Sequence, residues 1–476
     1  MKQLTRTVAV AALIAGLGAP VLPALAQAPT QSGTGPAPRQ QPAPVVMSPA
    51  ERQAMLTLIA QTIEDRYVHA GPAKAIAAEV RGWSADPALA RTTDPTVFAD
   101  LISERLRKHD RHFRVMWRPP QAAGPGGPGG PSPQGGPGGL SGPSPQEQAA
   151  METELKFINA GFEAVERLPG NVGYLRLAGF APLEGPMFGP NPSASRRAAE
   201  SALAFLGHTD AVIVDLRMNG GGDPAMVNFI LSHFFGETPV LLNSFYEREG
   251  DRTVPNATQA RIDNPRRPDT PLFVLVSNRS ASGAEEFAYD VQSQKRGVVV
   301  GQTTAGAANP GGVVPLDKGF AMFISTGAPI DAVTKTNWEK VGVKPDVEAS
   351  FKDALPRAHA LALKAAIARG AADGGQEAKW ELVRAEALAS GAATPEAAKA
   401  GYVGRYEDIT VALSGGDLTY QRGQNPASTL IPLGPDLFSP QLINSLHIRF
   451  QRDAAGVVTG LIQERPEGPP RVMGKT

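Results

Sequence analysis

Ser282 has the residue type and the position that favour covalent chemistry. It follows a continuous apolar run, Leu272–Val276, and precedes a segment of helical character, Gly283–Tyr289. A hydroxyl at the start of a helix lies beside backbone N–H groups without an intrahelical partner, which suits a nucleophile whose product is an oxyanion. The alternative is a capping box, in which Ser282 and Glu285 only cap the helix N-terminus.

Three consecutive glycines, Gly220, Gly221 and Gly222, follow a second apolar run, Ala211–Asp215. Glycine permits backbone conformations and close approaches that other residues do not, so an N–H of this turn can point at a substrate. Together with the amide of Gly283, it would complete an oxyanion hole. A flexible Asn-Gly turn is the alternative. A phosphate-binding loop is excluded because the required Lys-Ser/Thr is missing.

His112 is the candidate general base. In the segment His109–Trp117, strand alternation places Phe113, Val115 and Trp117 on one face and His112 on the other, where it can project into a cleft. Two alternatives stay open: an ordinary exposed histidine, and a metal site formed by His109 and His112. The metal site is disfavoured because Asp110 is the one further ligand nearby.

Glu339, in the segment Thr336–Val347, is placed to orient or polarise a base. A surface ion pair with Lys340 or Lys344 is the alternative. Each of these four segments is a weak signal by itself, so a functional prediction depends on their occurring together.

The elements that must position these residues are predicted from apolar patterning. Continuous apolar runs at Ala211–Asp215, Leu272–Val276 and Val298–Val300 are typical of parallel strands that are covered on both faces, and Val172–Leu177 is a further strand candidate.

Helical spacing and turn signals divide the rest of the chain. The predicted order is a signal peptide (1–26), a disordered spacer (27–47), a helical N-terminal domain ending in the His-bearing strand (48–118), a flexible Gly/Pro-rich insert (119–149), an α/β core (150–350), a helical linker (351–400) and a small antiparallel β domain (401–476).

The N-terminus predicts export. Lys2 and Arg6 precede the apolar run Val8–Leu17, and Ala24-Leu25-Ala26 offers small residues for cleavage. This run is too short for a membrane anchor. We therefore expect a periplasmic or secreted protein with no stable membrane span after signal cleavage.

Composition excludes several other classes of chemistry. The 476 residues include 46 Lys and Arg against 46 Asp and Glu, so the formal net charge is zero and nucleic acid is not an expected partner. Cysteine is absent, which excludes disulfides, Cys-ligated zinc, iron–sulfur clusters and a thiolate nucleophile. Covalent chemistry must start from oxygen or nitrogen, and we expect no cofactor and no metal.

Taken together, these segments resemble the C-terminal processing (tail-specific) serine peptidase superfamily, within it the branch of interphotoreceptor retinoid-binding-like and tricorn-core proteins. The resemblance spans about residues 48–350. Its most specific parts are D-L-R-x-N-G-G-G at Asp215–Gly222, S-A-S-G-A-E-E-F at Ser280–Phe287, V-G-Q-T-T-A-G at Val300–Gly306 and N-W-E-K-V-G-V-K-P-D at Asn337–Asp346.

The resemblance implies a crotonase-like (ClpP/crotonase-type) α/β peptidase core and assigns roles to the residues above. Ser282 falls at the nucleophile position, His112 at the base position and Glu339 at the acidic position. The oxyanion hole is assigned to the Gly283 amide and to an amide of the glycine turn, at Gly220 or Gly221.

Two features of this chain depart from the pattern of some family members. The Ser–Lys branch places a Lys just after the glycine of its Thr-x-Gly turn, whereas Ala307 follows Gly306 here, so a Ser–Lys mechanism is disfavoured. Tricorn-type members commonly have a Ser directly before the catalytic His, and this chain has Arg111. Asp110 is therefore the candidate orienting residue.

We thus expect an exported serine-type endopeptidase that hydrolyses peptides or protein chains through an acyl-enzyme on Ser282, with His112 as general base. The alternative is a non-catalytic protein that binds an apolar ligand or a peptide on the same scaffold. An acyl-CoA enzyme fits poorly, because export is predicted and no nucleotide site is recognisable.

Overall fold

A computed structural model describes residues 45–119, 145–183, 194–370 and 375–476. The predicted signal peptide, all but the last residues of the spacer and most of the predicted insert lie outside these ranges. Within the described residues, no helix combines the length and the apolar character that crossing a membrane requires.

Helices predominate before β1, helices and strands are mixed in the middle of the chain, and strands follow one another from Gly404 to Gly474. The α-helices are α1 (Pro49–Arg66), α2 (Ala70–Gly82), α3 (Pro87–Arg91), α4 (Pro95–Leu106), α5 (Pro145–Phe157), α6 (Ala194–Phe205), α7 (Pro224–Ser232), α8 (Gly283–Ser293), α9 (Ala354–Arg369), α10 (Gln376–Ser390) and α11 (Glu396–Tyr402). The strands are β1 (Arg114–Trp117), β2 (Phe162–Leu168), β3 (Val172–Leu177), β4 (Ala211–Asp215), β5 (Leu241–Glu247), β6 (Arg252–Ala257), β7 (Leu272–Val276), β8 (Val298–Gly301), β9 (Gly311–Pro315), β10 (Phe320–Ser325), β11 (Gly327–Asp331), β12 (Val347–Glu348), β13 (Gly404–Tyr406), β14 (Ile409–Ser414), β15 (Asp417–Arg422), β16 (Ser428–Gly434), β17 (Leu437–Pro440), β18 (His447–Arg452), β19 (Val458–Glu464) and β20 (Arg471–Gly474).

The chain divides into two compact units. The first comprises Met1–Glu147, Asn243–Asn256 and Ala307–Glu339, and the second comprises Gln148–Leu242, Ala257–Gly306 and Lys340–Thr476. The domain order expected from the sequence is linear, whereas each of these units is assembled from several segments of the chain.

The first unit packs helices against a three-stranded antiparallel sheet with the order β1-β10-β9. Ser48 caps α1, since its Oγ accepts the N–H of Glu51 and the Glu51 carboxylate accepts the N–H of Ser48. The core brings Ile59, Phe98 and Phe113 together, all fully buried. This packing fixes strand β1, which carries the side chains that follow His112.

The second unit is built on a six-stranded sheet with the order β12-β8-β7-β4-β3-β2. Its strands pair in parallel except for β2, which is antiparallel to β3. Strands β4 and β7 are buried along their whole length, as their continuous apolar runs predict. Helix α9 covers one face and helix α10 packs on α9, and Leu363, Ile213 and Leu275 belong to one buried hydrophobic cluster. A mixed α/β fold is therefore confirmed.

Residues 404–476 form an eight-stranded antiparallel sheet in sequential order, β13 to β20. A bridge between Tyr406 and Lys475 joins its first and last strands, so the sheet is nearly closed into a barrel. The predicted small antiparallel β domain is confirmed in kind. We expected the β domain to begin with a strand at Tyr402–Tyr406; this was wrong in its first residues, because Tyr402 ends helix α11 and strand β13 begins at Gly404.

Candidate active site

Ser282 has a strained backbone immediately before helix α8. Its φ is 53° and its ψ is −121°, a conformation that residues other than glycine rarely adopt and that costs about 1–3 kcal/mol. Its side chain is half-buried. The capping box expected from the sequence is present, and in it the Glu285 carboxylate accepts the Ser282 N–H at 2.9 Å. An ordinary N-cap has negative φ, so the local geometry is not that of a simple cap.

The glycine turn lies against Ser282 within the second unit. A methyl group on Gly221 would come within 2.7 Å of Ser282 Cβ and 2.9 Å of the Gly283 nitrogen. A methyl group on Gly283 would in turn lie 3.2 Å from the Gly222 nitrogen. Only glycine allows this approach, because Gly221 and Gly222 also have φ of 107° and 143°.

Within the described residues, the amides of Gly222 and Gly283 donate to no protein acceptor. The Gly221 amide, by contrast, donates to Asn219 Oδ1 at 2.8 Å, and Asn219 is fully buried. Gly220 is half-buried at the start of the turn. Gly222 and Gly283 therefore have the N–H groups that remain available for an anionic oxygen next to Ser282.

His112 is held by Asp110 within the first unit. Asp110 Oδ1 accepts both the backbone N–H and the ring Nδ1–H of His112, each at 2.8 Å. A carboxylate only accepts hydrogen bonds, so Nδ1 carries a proton and Nε2 has the lone pair of the neutral ring. The ring also stacks on Phe323, with 6.3 Å between centroids. This is the tautomer that a general base acting through Nε2 requires.

Asp110 is almost completely buried and is surrounded by donors. Ser325 donates to its Oδ2 at 2.8 Å, and the buried Tyr67 lies close enough for the charge of Asp110 to raise its pKa. Burial alone would raise the pKa of Asp110, but the hydrogen bonds from His112 and Ser325 and the charge of the imidazolium hold it below its usual value. Burial, followed by the charge of Asp110, raises the pKa of Tyr67, which stays a phenol. Asp110 is therefore a carboxylate throughout the neutral range.

Glu339 lies beside this pair. Its Oε2 accepts the N–H groups of Ala308 and Asn309 at 2.8 and 3.2 Å, and its Oε1 is buried without a hydrogen-bond partner among the described residues. Asp110, His112 and Glu339 offer nitrogen and oxygen atoms that lie within 4.8 Å of one another. The structure thus brings together three of the residues selected from the sequence, and Asp110 is the one that contacts Nδ1.

The alternative pairing of His109 with His112 on a metal receives no support. His109 Nε2 pairs with Glu79 Oε2 at 3.0 Å, and Glu79 also binds Lys108. Within the described residues, the one group of side chains with metal-ligand spacing contains His112 but not His109.

Sequence reasoning missed the residues that support these groups. Ser325 contacts Asp110 from the end of strand β10, whose register with β1 pairs Arg114 with Phe323. Thr304 and Gly306, which contact Glu285, lie in the V-G-Q-T-T-A-G segment that the sequence had singled out, but their contact with Glu285 was not predicted. These contacts cannot be read from a local sequence pattern, because strand pairing and packing bring together residues that are far apart in the chain.

Comparisons with known proteins identify the part of the chain that is recognisable. Residues 171–349 match the family described as peptidase family S41. A chloroplastic C-terminal processing peptidase of Tetradesmus obliquus is 32% identical over 178 residues, which cover 37% of this chain and 35% of that protein. A tail-specific protease of Haemophilus influenzae is 35% identical over 98 residues, covering 20% and 13%.

Among solved structures, a photosystem II D1 C-terminal processing protease aligns with a TM-score of 0.31 and 25% identity, over 40% of this chain and 46% of that one. The chain thus covers less than half of the length of each of these three proteins. The resemblance to C-terminal processing and tail-specific peptidases found in the sequence is confirmed for this part of the chain: residues 171–349 match the model of peptidase family S41, and the relatives similar to it are proteases of those two kinds.

Proposed function

We propose that this protein is an exported serine endopeptidase that acts on peptides or protein chains, with Ser282 as nucleophile and His112 as general base. The observation that carries the proposal is the hydrogen bond from His112 Nδ1 to buried Asp110, which leaves the Nε2 lone pair to accept a proton. The strained backbone of Ser282 and the available amides of Gly222 and Gly283 support it from the second unit.

In the proposed reaction, Ser282 Oγ attacks the peptide carbonyl carbon while Nε2 of His112 takes the hydroxyl proton. The oxyanion that forms accepts hydrogen bonds from the Gly283 amide and from an amide of the glycine turn, for which we favour Gly222 over Gly220 and Gly221. The C–N bond then breaks, and His112 gives its proton to the leaving amine. Water hydrolyses the acyl-enzyme by the same route, with His112 again as base, and restores Ser282.

Asp110 and Glu339 have different roles in this proposal. Asp110 fixes the ring tautomer and stabilises the imidazolium, because it contacts Nδ1 directly. Glu339 holds the backbone at Ala308 and Asn309 and adds negative charge near His112. No metal or cofactor has a part in these steps.

Several finer features belong to the same proposal. We infer a crotonase-like core, membership of the tricorn-type branch, and a periplasmic or secreted location after removal of residues 1–26. N-terminal sequencing of the exported protein should begin at Gln27. An N-terminus that retains residues 1–26 would contradict the proposed export.

A fluorophosphonate probe tests the central claim. The wild-type protein should be labelled at Ser282, and Ser282→Ala should not be labelled. Ser293→Ala, on the same helix α8, is the matched control and should label like wild type. If the folded wild-type protein is not labelled and cleaves no unfolded polypeptide, the peptidase proposal fails, and the binding-protein alternative is favoured.

A further inference from the structure

We infer that Glu285 is a positioning residue that holds Ser282 in its strained backbone conformation, an inference that rests on the proposed nucleophilic role of Ser282. In a simple capping box, the glutamate satisfies one amide at its own helix N-terminus and has no other task. The contacts of Glu285 extend well beyond that.

The Glu285 side chain is fully buried, and both of its oxygens accept hydrogen bonds. Oε2 accepts the Ser282 N–H at 2.9 Å. Oε1 accepts the hydroxyl of Thr304 at 2.5 Å and the N–H of Gly306 at 2.6 Å. One carboxylate thus ties the nucleophile to a turn more than twenty residues away along the chain.

The turn on the other side of this carboxylate is itself fixed. Thr304 Oγ1 accepts the N–H of Val343 at 2.7 Å, and the Gly306 carbonyl accepts the N–H of Lys340 at 2.9 Å. Gly306 has a φ of 78°, and a methyl group there would meet the backbone of Lys340 at 2.9 Å. Glu285 therefore anchors Ser282 to a rigid neighbour and not to a movable loop.

This anchoring explains why Ser282 stays at positive φ. A serine released from its surroundings would relax to negative φ, since that region is the favoured one for residues with a Cβ. Both oxygens of Glu285 accept hydrogen bonds, one of them from the Ser282 N–H. Removing the acceptor of that N–H would let the Ser282 amide turn away, and the hydroxyl and the Gly283 amide would turn with it.

The amide of glutamine cannot reproduce these contacts. Glutamine has one accepting oxygen and one donating NH2 group, so at least one of the three donors would face another donor. The variant Glu285→Gln therefore tests the inference with almost no change of side-chain volume. Asp290→Asn is the matched control, because Asp290 is also a fully buried acid on helix α8.

The experiment measures the second-order rate of fluorophosphonate labelling at Ser282, peptide turnover as kcat and KM, and hydrogen exchange of peptides that contain Ser282 and Gly306. For Glu285→Gln we expect labelling and kcat to fall by about 100-fold with little change in KM, the effect of misplacing a reacting group by about 1 Å. Hydrogen exchange should accelerate in both peptides. Asp290→Asn should retain the wild-type labelling rate in its folded fraction.

A second variant covers the case in which Glu285→Gln does not fold. Thr304→Val removes a donor to Glu285 but leaves the carboxylate and the helix N-terminus intact, and it should lower labelling by a smaller factor than Glu285→Gln.

The inference is overturned if Glu285→Gln labels like wild type, or if Asp290→Asn loses as much labelling as Glu285→Gln does. It is likewise overturned if the peptides that contain Ser282 and Gly306 keep their protection from hydrogen exchange in Glu285→Gln. If Glu285→Gln does not fold, wild-type labelling by Thr304→Val overturns it. A failure of the proposed function looks different. In that case the wild type is not labelled, yet the protection of the Ser282 amide still depends on Glu285.

Discussion

One carboxylate oxygen of Asp110 accepts two hydrogen bonds from His112: Oδ1 accepts the backbone N–H and the ring Nδ1–H, each at 2.8 Å. The two bonds fix the backbone turn and the ring orientation at once. The other oxygen of Asp110 accepts a hydrogen bond from Ser325, on strand β10, which pairs with β1. The sequence predicted a strand that includes His112, but β1 begins at Arg114 and His112 lies in the turn before it. The carboxylate that orients the ring thus belongs to Asp110, two residues before His112 in the chain. Its position is fixed by the hydrogen bond from Ser325 on strand β10.

Replacing Asp110 with Asn should abolish most of the activity. The Asn side chain can present an NH2 group to Nδ1, which favours the wrong ring tautomer for a base acting through Nε2. We expect kcat for peptide hydrolysis to fall by about 10⁴-fold, as the corresponding change does in a serine protease triad. Ser325→Ala, which removes only the hydrogen bond to Oδ2, is the control and should cost far less. Equal losses in the two variants would argue for a structural role of Asp110.

Glu339→Gln should be milder than Asp110→Asn. The glutamine oxygen can still accept the N–H groups of Ala308 and Asn309, and the contact with Nδ1 is made by Asp110. Removing a nearby carboxylate that does not touch the ring should lower kcat by about 10-fold, which corresponds to about 1.4 kcal/mol of lost transition-state stabilisation. Kinetic constants for both variants, measured at one pH on folded protein, provide the test. A loss with Glu339→Gln that exceeds the loss with Asp110→Asn would reverse these roles.

Gly221→Ala should damage turnover more than global stability. An added methyl group would lie 2.7 Å from Ser282 Cβ and 2.9 Å from the Gly283 nitrogen, so the nucleophile and the oxyanion donors must shift. The expected loss in kcat is about 100-fold or more, the effect of losing one oxyanion donor. Gly236→Ala is the matched control, because a methyl group there meets nothing within 4 Å. An active Gly221→Ala enzyme with normal kcat would show that the glycine turn has no part in catalysis.

The sequence predicts those parts of the fold that local patterns encode. Strands β4 and β7 have the same bounds as the apolar runs that predicted them. Both strands are buried on both faces, so every residue is apolar or buried and the run itself marks where the strand begins and ends. Strands β16 and β17 were not predicted. Strand β16 contains Pro432, and its register shifts between Pro432 and Gly434, so the apolar alternation that would reveal it is interrupted. Strand β20 has a single buried side chain, Met473, which is too little for a pattern.

The same distinction applies to the candidate site. Ser282 and Glu285 are recognisable because their spacing of three residues is local, as is the spacing of Asp110 and His112. Ser325 lies 215 residues from Asp110 in sequence, and its role depends on the pairing of β1 with β10. A single sequence does not specify that register, so contacts of this kind emerge only from the folded structure.

The C-terminal barrel contains a histidine that should make its stability depend on pH. His447 is 4% exposed, its ring stacks on Trp380 with 3.8 Å between centroids, and its Nε2 has no hydrogen-bond partner within the described residues. Burial lowers the pKa of His447 to about 4; the nearby Arg384 and Arg449 act in the same direction, and Glu464 opposes them. The folded barrel therefore holds this ring neutral.

Acid should weaken this region through His447. The unfolded chain takes up the proton near pH 6.5, whereas the folded barrel resists it until about pH 4. The stability contribution is therefore complete above pH 6.5 and is lost progressively as the pH falls from 6.5 to 4, by up to about 3 kcal/mol.

His447→Phe keeps the stacking partner but removes the titration, so its free energy of unfolding should fall less over this range. Denaturant unfolding at pH 7 and pH 4.5, followed by tryptophan fluorescence, measures the difference, with exposed His208→Gln as the control. Parallel pH profiles for wild type and His447→Phe would rule out His447 as the source of acid sensitivity.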